Sequence, residues 1–390
     1  MTDDTEDRVP PLLLTEGGPG DALMRRLGLA PLGVRAGRAA VVLAAVAWLP
    51  LLVMSGFEGL AVGGATIPFL YDIAAHVRFL VAIPMLLLVE IPIGARVRRT
   101  TAQFIVAGLV RPKDEARFAD IIRDTVRFRD SRIAELIVLA AAYVTAFGMI
   151  ARMSFQQGST WYAPAHTGLT PVGCWYAFVS VPIFQFLLYR WLYRLLVWGR
   201  FLRRLATLDL QLSPMHPDAA GGLGFLGKGC VPLGMVLFPI SAVVSSAIAT
   251  RVLFGDARLE DFQLSYAALF ALALGLFTSP LLAFTPMLLQ LKREGGFAYG
   301  AFASRYTRLF DRKWIQRSDE PDDSLLGAAD IQSLADLGNS YENLTKVRAV
   351  PIAFGDFVAM AIPGLVPALP LAATVMPVSD ILKGLLHLLA

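Results

Sequence analysis

Seven long apolar stretches run through this chain, at 39–56, 78–95, 133–152, 174–197, 231–251, 265–289 and 354–376. A hydrocarbon core of roughly 30 Å is crossed by about 20 mostly apolar helical residues, so each stretch is long enough to span a bilayer. The expected fold class is therefore all-α, a polytopic transmembrane helix bundle of about seven spans with helical segments between them. Composition agrees. The chain is 56% hydrophobic and only 17% charged, and its mean hydropathy is +0.58. A soluble domain is usually about a quarter charged.

The loops alternate in charge. The stretch after the second span holds Arg96, Arg98, Arg99, Arg111, Lys113, Arg117, Arg123, Arg127, Arg129 and Arg132. The one after the fourth has Arg200, Arg203, Arg204 and Lys228, and the one after the sixth is basic from Lys292 to Arg348. The intervening loops are poor in Lys and Arg, and 154–173 has no charged residue. Basic loops stay in the cytoplasm, which places the N-terminus inside. The net charge of +4 follows from the same rule. No basic segment carries a nucleic-acid-binding motif, so nucleic acid is not an expected partner. The bilayer is. Acidic residues stand where a signal peptide would be basic, and residues 1–37 read as a cytoplasmic arm, partly disordered. Residues 38–390 read as a single transmembrane domain.

Two cytoplasmic segments carry helical patterns, 99–131 and 291–350. In the first, Phe118, Ile121, Ile122 and Val126 recur at helical spacing, and Asp114–Arg117, Asp120–Arg123 and Asp124–Arg127 are i,i+3 pairs. The second reads as helix, acidic turn, helix. The last residues, 377–390, are too short to recross and suit an interfacial amphipathic helix.

Ionisable residues inside spans are costly and face protein or water. Glu90 is four residues before Gly94, and Arg194 five before Gly199. At 1.5 Å per residue both lie roughly 6–8 Å inside the same boundary. Arg194 is therefore the expected partner of Glu90, with Arg190, one turn deeper, the second choice. The pair is either a packing element or part of a polar path. On the outer side Asp72 and His76 share a helical face, with Arg78 beyond them; two such ligands do not make a metal site, and His166 could join only if its loop folded back. Cys174 and Cys230 fall near opposite faces, too far apart to pair.

The loop SPMHPDAAGGLGFLGKG at 213–229 holds His216, Asp218, Gly221, Gly222 and Gly224. Gly222, Gly224 and Gly227 satisfy the spacing of a dinucleotide fingerprint, and Lys228 nearly completes a phosphate loop. No strand precedes them, and Gly229 stands where Ser or Thr would hold magnesium. The reading preferred is a turn in which Asp218 bonds nearby amides. Small residues on the fifth span (Ser241, Ser245, Ala249 and Ala242, Ser246, Thr250) permit close helix contact, within one chain or in a homo-oligomer.

HPDAAGGLGFLG, ADIQSLADLGNSYENLTKVRAVPI and LPLAATVMPVSDILKGLLHLL together resemble a family of uncharacterised bacterial inner-membrane proteins. The resemblance covers roughly the second half. It implies a bacterial inner-membrane location and no activity. No paired acids, Ser-His or Cys-His arrangement or zinc motif supports an enzyme, and no cofactor is expected. The leading function is passage of a small solute or ion along a polar path lined by Glu90, Arg190 and Arg194, with the His216–Asp218 loop at its inner mouth. The alternative is a membrane scaffold or signalling subunit that binds a partner protein through its cytoplasmic segments. A continuous hydrated cavity would favour the first, and a sealed bundle with an exposed apolar cytoplasmic face the second.

Overall fold

The lipid interior offers no partner to backbone N–H and C=O groups, so a chain crossing it closes its hydrogen bonds within helices. The computed structural model describes residues 10–26, 28, 34–154, 160–163, 169–254, 257–316 and 329–372. Its helices are α1 (Pro19–Arg26), α2 (Val34–Phe57), α3 (Ile73–Val106), α4 (Glu115–Arg129), α5 (Arg132–Ser154), α6 (Pro171–Leu205), α7 (Phe225–Phe254), α8 (Leu259–Ile315), α9 (Ala329–Thr345) and α10 (Phe354–Leu371). Seven of these, α2, α3, α5, α6, α7, α8 and α10, are long and apolar enough to cross a membrane. Among the described residues there is no strand, only isolated bridges at Ile67, Thr160 and Ala163. The molecule is a bundle of membrane-spanning type.

Several helices outrun the apolar runs that announced them. The expected span 78–95 sits in a helix of 34 residues, and 174–197 in one of 35. Beyond the apolar part each continues as an amphipathic helix that keeps one side on the bundle. Val97, Thr100, Thr101 and Phe104 are buried on α3, and Phe201, Leu202 and Leu205 on α6.

About half of the apolar window is buried in α3, α6 and α7 (44, 50 and 56%), against 11% in α5 and in α10. The first three form the centre. α2 packs on α3 and α6, α5 on α6, α10 on α7 and α8, and α8 on α6. The small-residue face of α7 is consumed within the chain. Ser241, Ser245 and Ser246 are buried, and the Tyr266 hydroxyl of α8 bonds both Ser241 Oγ, at 2.9 Å, and Ser245 Oγ.

Proline shapes the central helices. A proline ring collides with the carbonyl one turn earlier and removes an N–H. A widened turn relieves this. Such turns occur at Val77–Ala82, just before Pro84, and at Tyr176–Ser180, just before Pro182. Tightened turns mark Val231–Val236, with Pro232, and Ser279–Phe284, with Pro280.

At the Arg-rich end, α4 packs on α6 with Phe118 and Ile122 fully buried. Its Asp124 meets Arg204 of α6 at 2.6 Å. α8 runs on past its apolar part to Ile315, about 40 Å of further helix at 1.5 Å per residue. α9 folds back along it. Lys313 pairs with Asp330, Trp314 Nε1 donates to the same carboxylate at 3.2 Å, and Lys292 Nζ donates to Val347 O at 3.0 Å. The acidic turn before α9 and the C-terminal segment 377–390 lie outside the described residues.

Candidate functional site

Glu90 and Arg194 meet. Arg194 Nη1 is 2.7 Å from Glu90 Oε1, and both side chains are 4% exposed. The ion pair joins α3 to α6. Arg194 is further held by Trp191 of its own helix, whose ring lies 4.9 Å from the guanidinium carbon. Its Nη2 donates to the carbonyl of Thr15 at 2.7 Å. Arg190, the second choice, does not bond Glu90. It is half-buried one turn away and lines a cavity of about 30 Å³ with Leu14, Gly17, Arg129, Glu135 and Arg194. That volume holds one or two waters.

Thr15 belongs to the N-terminal segment, which the sequence reading treated as an arm. Its described part is a seated piece of the bundle. Leu12 and Leu14 are 0% and 2% exposed, and Thr15 and Asp21 are also buried. Most of the segment's polar contacts reach into the bundle, although Asp21 Oδ1 is buried without a hydrogen-bond partner among the described residues. Gly17 N donates to Asp21 Oδ2 at 2.9 Å, and Gly20 N to Glu135 Oε1 of α5 at 2.7 Å. Arg129 of α4 donates to Leu13 O, and Arg25 pairs with Asp21 at 2.8 Å. Room for it comes from Gly94 on α3. A Cβ there would stand 2.3 Å from Thr15 Oγ1. Sequence reasoning missed Thr15, Asp21, Arg129 and Glu135. The helix that holds the first span begins at Val34.

In the 213–229 loop, Asp218 sits in a nest of backbone amides. Ala220 N, Gly222 N and Gly224 N donate to its carboxylate at 2.8, 3.1 and 2.7 Å. His216 Nδ1 is 2.8 Å away. Gly221 (φ +65°) and Gly222 (φ +98°) adopt the left-handed backbone that turns the amides inward. Burial alone works against the charged form. The three amides and His216 together outweigh it and hold the Asp218 carboxyl below its ordinary range. The loop thus carries its own anion where a phosphate loop would carry a ligand. Gly227 lies against the Pro351 backbone, and Arg348 closes the outside, bonding Asp218 O at 2.7 Å and, through its own N–H, Ala219 O at 2.9 Å.

Asp72, His76 and Arg78 are each committed to a different aromatic partner. Asp72 caps the first turn of α3 through Ala75 N at 3.0 Å and accepts from Trp161 Nε1 at 2.9 Å. Trp48 Nε1 donates to His76 Nδ1 at 2.9 Å, leaving Nε2–H for Leu70 O at 3.2 Å. Arg78 donates to the Tyr176 hydroxyl at 2.6 Å. Phe69, Trp161, Tyr162 and Tyr176 pack edge to face or stacked around them. Glu58 joins by accepting from Val172 N at 3.0 Å. His166 lies outside the described residues. Among those residues, no three of His, Cys, Asp or Glu gather as a metal site.

Cys174 is exposed at the start of α6 and Cys230 is buried in α7. Among the described residues, Glu90 and Arg194 form an ion pair in which both side chains are buried, under the N-terminal segment. Comparison with protein-family models, with curated proteins and with solved structures found no match to this chain.

Proposed function

We propose that this protein is a non-transport membrane subunit that docks a partner protein on the part of α8 that projects beyond the bilayer on the Arg-rich side. The observation that carries the reading is the outer face of that projection. Phe297 and Ile315 are 82% and 71% exposed, and Phe302 and Leu309 are exposed beside them. Arg293, Arg305, Arg308 and Arg312 stand among them, exposed and, among the described residues, without an ion-pair partner. Apolar side chains grouped on a solvated helix mark an interaction surface, and the arginines select an acidic partner face. The buried, capped Glu90–Arg194 pair fits a sealed bundle. A homo-oligomer would have to use a surface other than the small residues of α7, which are occupied by Tyr266.

The test is a photo-crosslinking amino acid at Phe297 or Phe302 in living cells. One discrete heterologous adduct is expected, and Arg305→Glu with Arg308→Glu should abolish it. Adducts to lipid alone, or to the protein itself alone, would remove the reading.

A second reading rests on one specific contact. Thr15 O covers Arg194, so residues 10–26 could act as a plug over a polar path. Reconstituted vesicles carrying a deletion of residues 1–18 would then conduct ions or protons, and intact protein would not.

A further inference from the structure

Beside the N-terminal segment, α2, α5 and α6 enclose an open cleft of about 630 Å³. Its volume is typical of a ligand site, roughly 300–1,000 Å³. Its walls are almost wholly apolar and include Leu136, Leu139, Phe178, Ile183 and Leu187. Leu136, Leu139 and Phe178 are 64%, 41% and 49% exposed. They belong to the apolar parts of α5 and α6, where exposed means facing lipid.

One end of the cleft differs. Arg132, Glu135 and Arg190 line it there, with Pro19 and Gly20 of the N-terminal segment. A second, shallower cavity of about 460 Å³ shares Pro19 and Arg132 and adds Arg26. The nearby acids are already engaged. Glu135 accepts from Gly20 N at 2.7 Å, and Asp130 takes Arg129 at 2.8 and 2.9 Å. Arg26, Arg132 and Arg190 have no carboxylate partner among the described residues.

We propose that this cleft is a binding site for an anionic phospholipid of the leaflet on the Arg-rich side. The acyl chain lies along the apolar walls. The phosphate is held by Arg132 and Arg190, with Arg26 reaching it from α1. The assignment rests on charge complementarity: the unpaired Arg132 and Arg190 line an apolar groove that opens sideways into the bilayer, and the unpaired Arg26 lines the cavity adjoining it. Arginine is suited to this because its planar fork binds phosphate oxygens in pairs. It also rationalises why a half-buried Arg190 lacks a counter-ion so near the paired Arg194. The site is independent of the docking face on α8.

Delipidated protein in mild detergent is titrated with dioleoyl phosphatidylglycerol or with dioleoyl phosphatidylcholine, and adducts are counted by native mass spectrometry. Phosphatidylglycerol adducts should exceed phosphatidylcholine adducts several-fold. Arg132→Gln with Arg190→Gln should erase that preference. Ile183→Trp, which fills the groove and leaves the arginines, should lower binding of both lipids, with a melting curve confirming that it folds. Equal binding of the two lipids would overturn the proposal. So would a preference that survives the double arginine change, or displacement of the lipid by millimolar inorganic phosphate.

Discussion

Thr15 and Arg194 are 179 positions apart in the chain and 2.7 Å apart in space, carbonyl to guanidinium. Through them the N-terminal segment reaches the buried Glu90–Arg194 ion pair that joins α3 to α6. The bond gives the N-terminal segment an electrostatic reason to stay, beyond the burial of Leu12 and Leu14.

Truncating one partner of a buried ion pair strands the other, a loss of about 3–5 kcal/mol. Glu90→Gln and Arg194→Gln should each lower the melting temperature in detergent markedly. The double change should recover part of the loss, because neither charge is then left alone. Strictly additive losses would show that the two residues act separately.

Gly94 makes the seat for Thr15. Gly94→Val should force the segment out, at an overpacking cost of about 1–3 kcal/mol. Trypsin should then cut at Arg25 and Arg26 much faster than in the unaltered protein. Unchanged cleavage would mean that the segment is held elsewhere.

Asp218 supplies a pH dependence whose sign is fixed. Its folded pKa lies below the ordinary 3.8. Its contribution is therefore fully present above that value and is lost as the pH falls through the depressed one. Asp218→Ala should cost at least the roughly 1.5–3 kcal/mol of one charge-assisted hydrogen bond near neutrality. It should also flatten the acid limb of a plot of melting temperature against pH. Parallel acid limbs for the two proteins would contradict the nest as described.

The two thiols test orientation. Cys174 is exposed and Cys230 buried. A membrane-impermeant maleimide applied to intact cells should label Cys174 and spare Cys230. In inverted vesicles neither should react. Labelling of Cys174 only after inversion would reverse the topology.

The spans could be read from the sequence because a bilayer imposes one length and one polarity on whatever crosses it. Glu90 with Arg194 could be read because two charges at one depth have few other ways to be satisfied. The widened turns before Pro84 and Pro182 were signalled by the prolines, although the kind of turn was not. The seating of residues 10–26 was not legible. Its contacts are backbone carbonyls and amides meeting side chains from α4, α5 and α6, and such contacts leave no periodic trace. Asp72 and His76 looked alike as ligands on one helical face. Their actual partners, Trp161 and Trp48, come from other parts of the chain and could not be assigned by spacing.

The place of Thr15 also has a consequence in time. Its carbonyl leaves the ribosome long before Arg194 exists. At about 5–20 residues per second, the 179 positions between them take roughly 10–40 s to synthesise. During that interval α3 is already made, and Glu90 has no cation from α6 to meet. The segment around Thr15 therefore cannot complete its contacts until α6 has been made. A nascent protein halted before α6 would hold the segment by its contacts to Arg129 and Glu135 but without Arg194, leaving it more open to any protease or chaperone at the membrane surface.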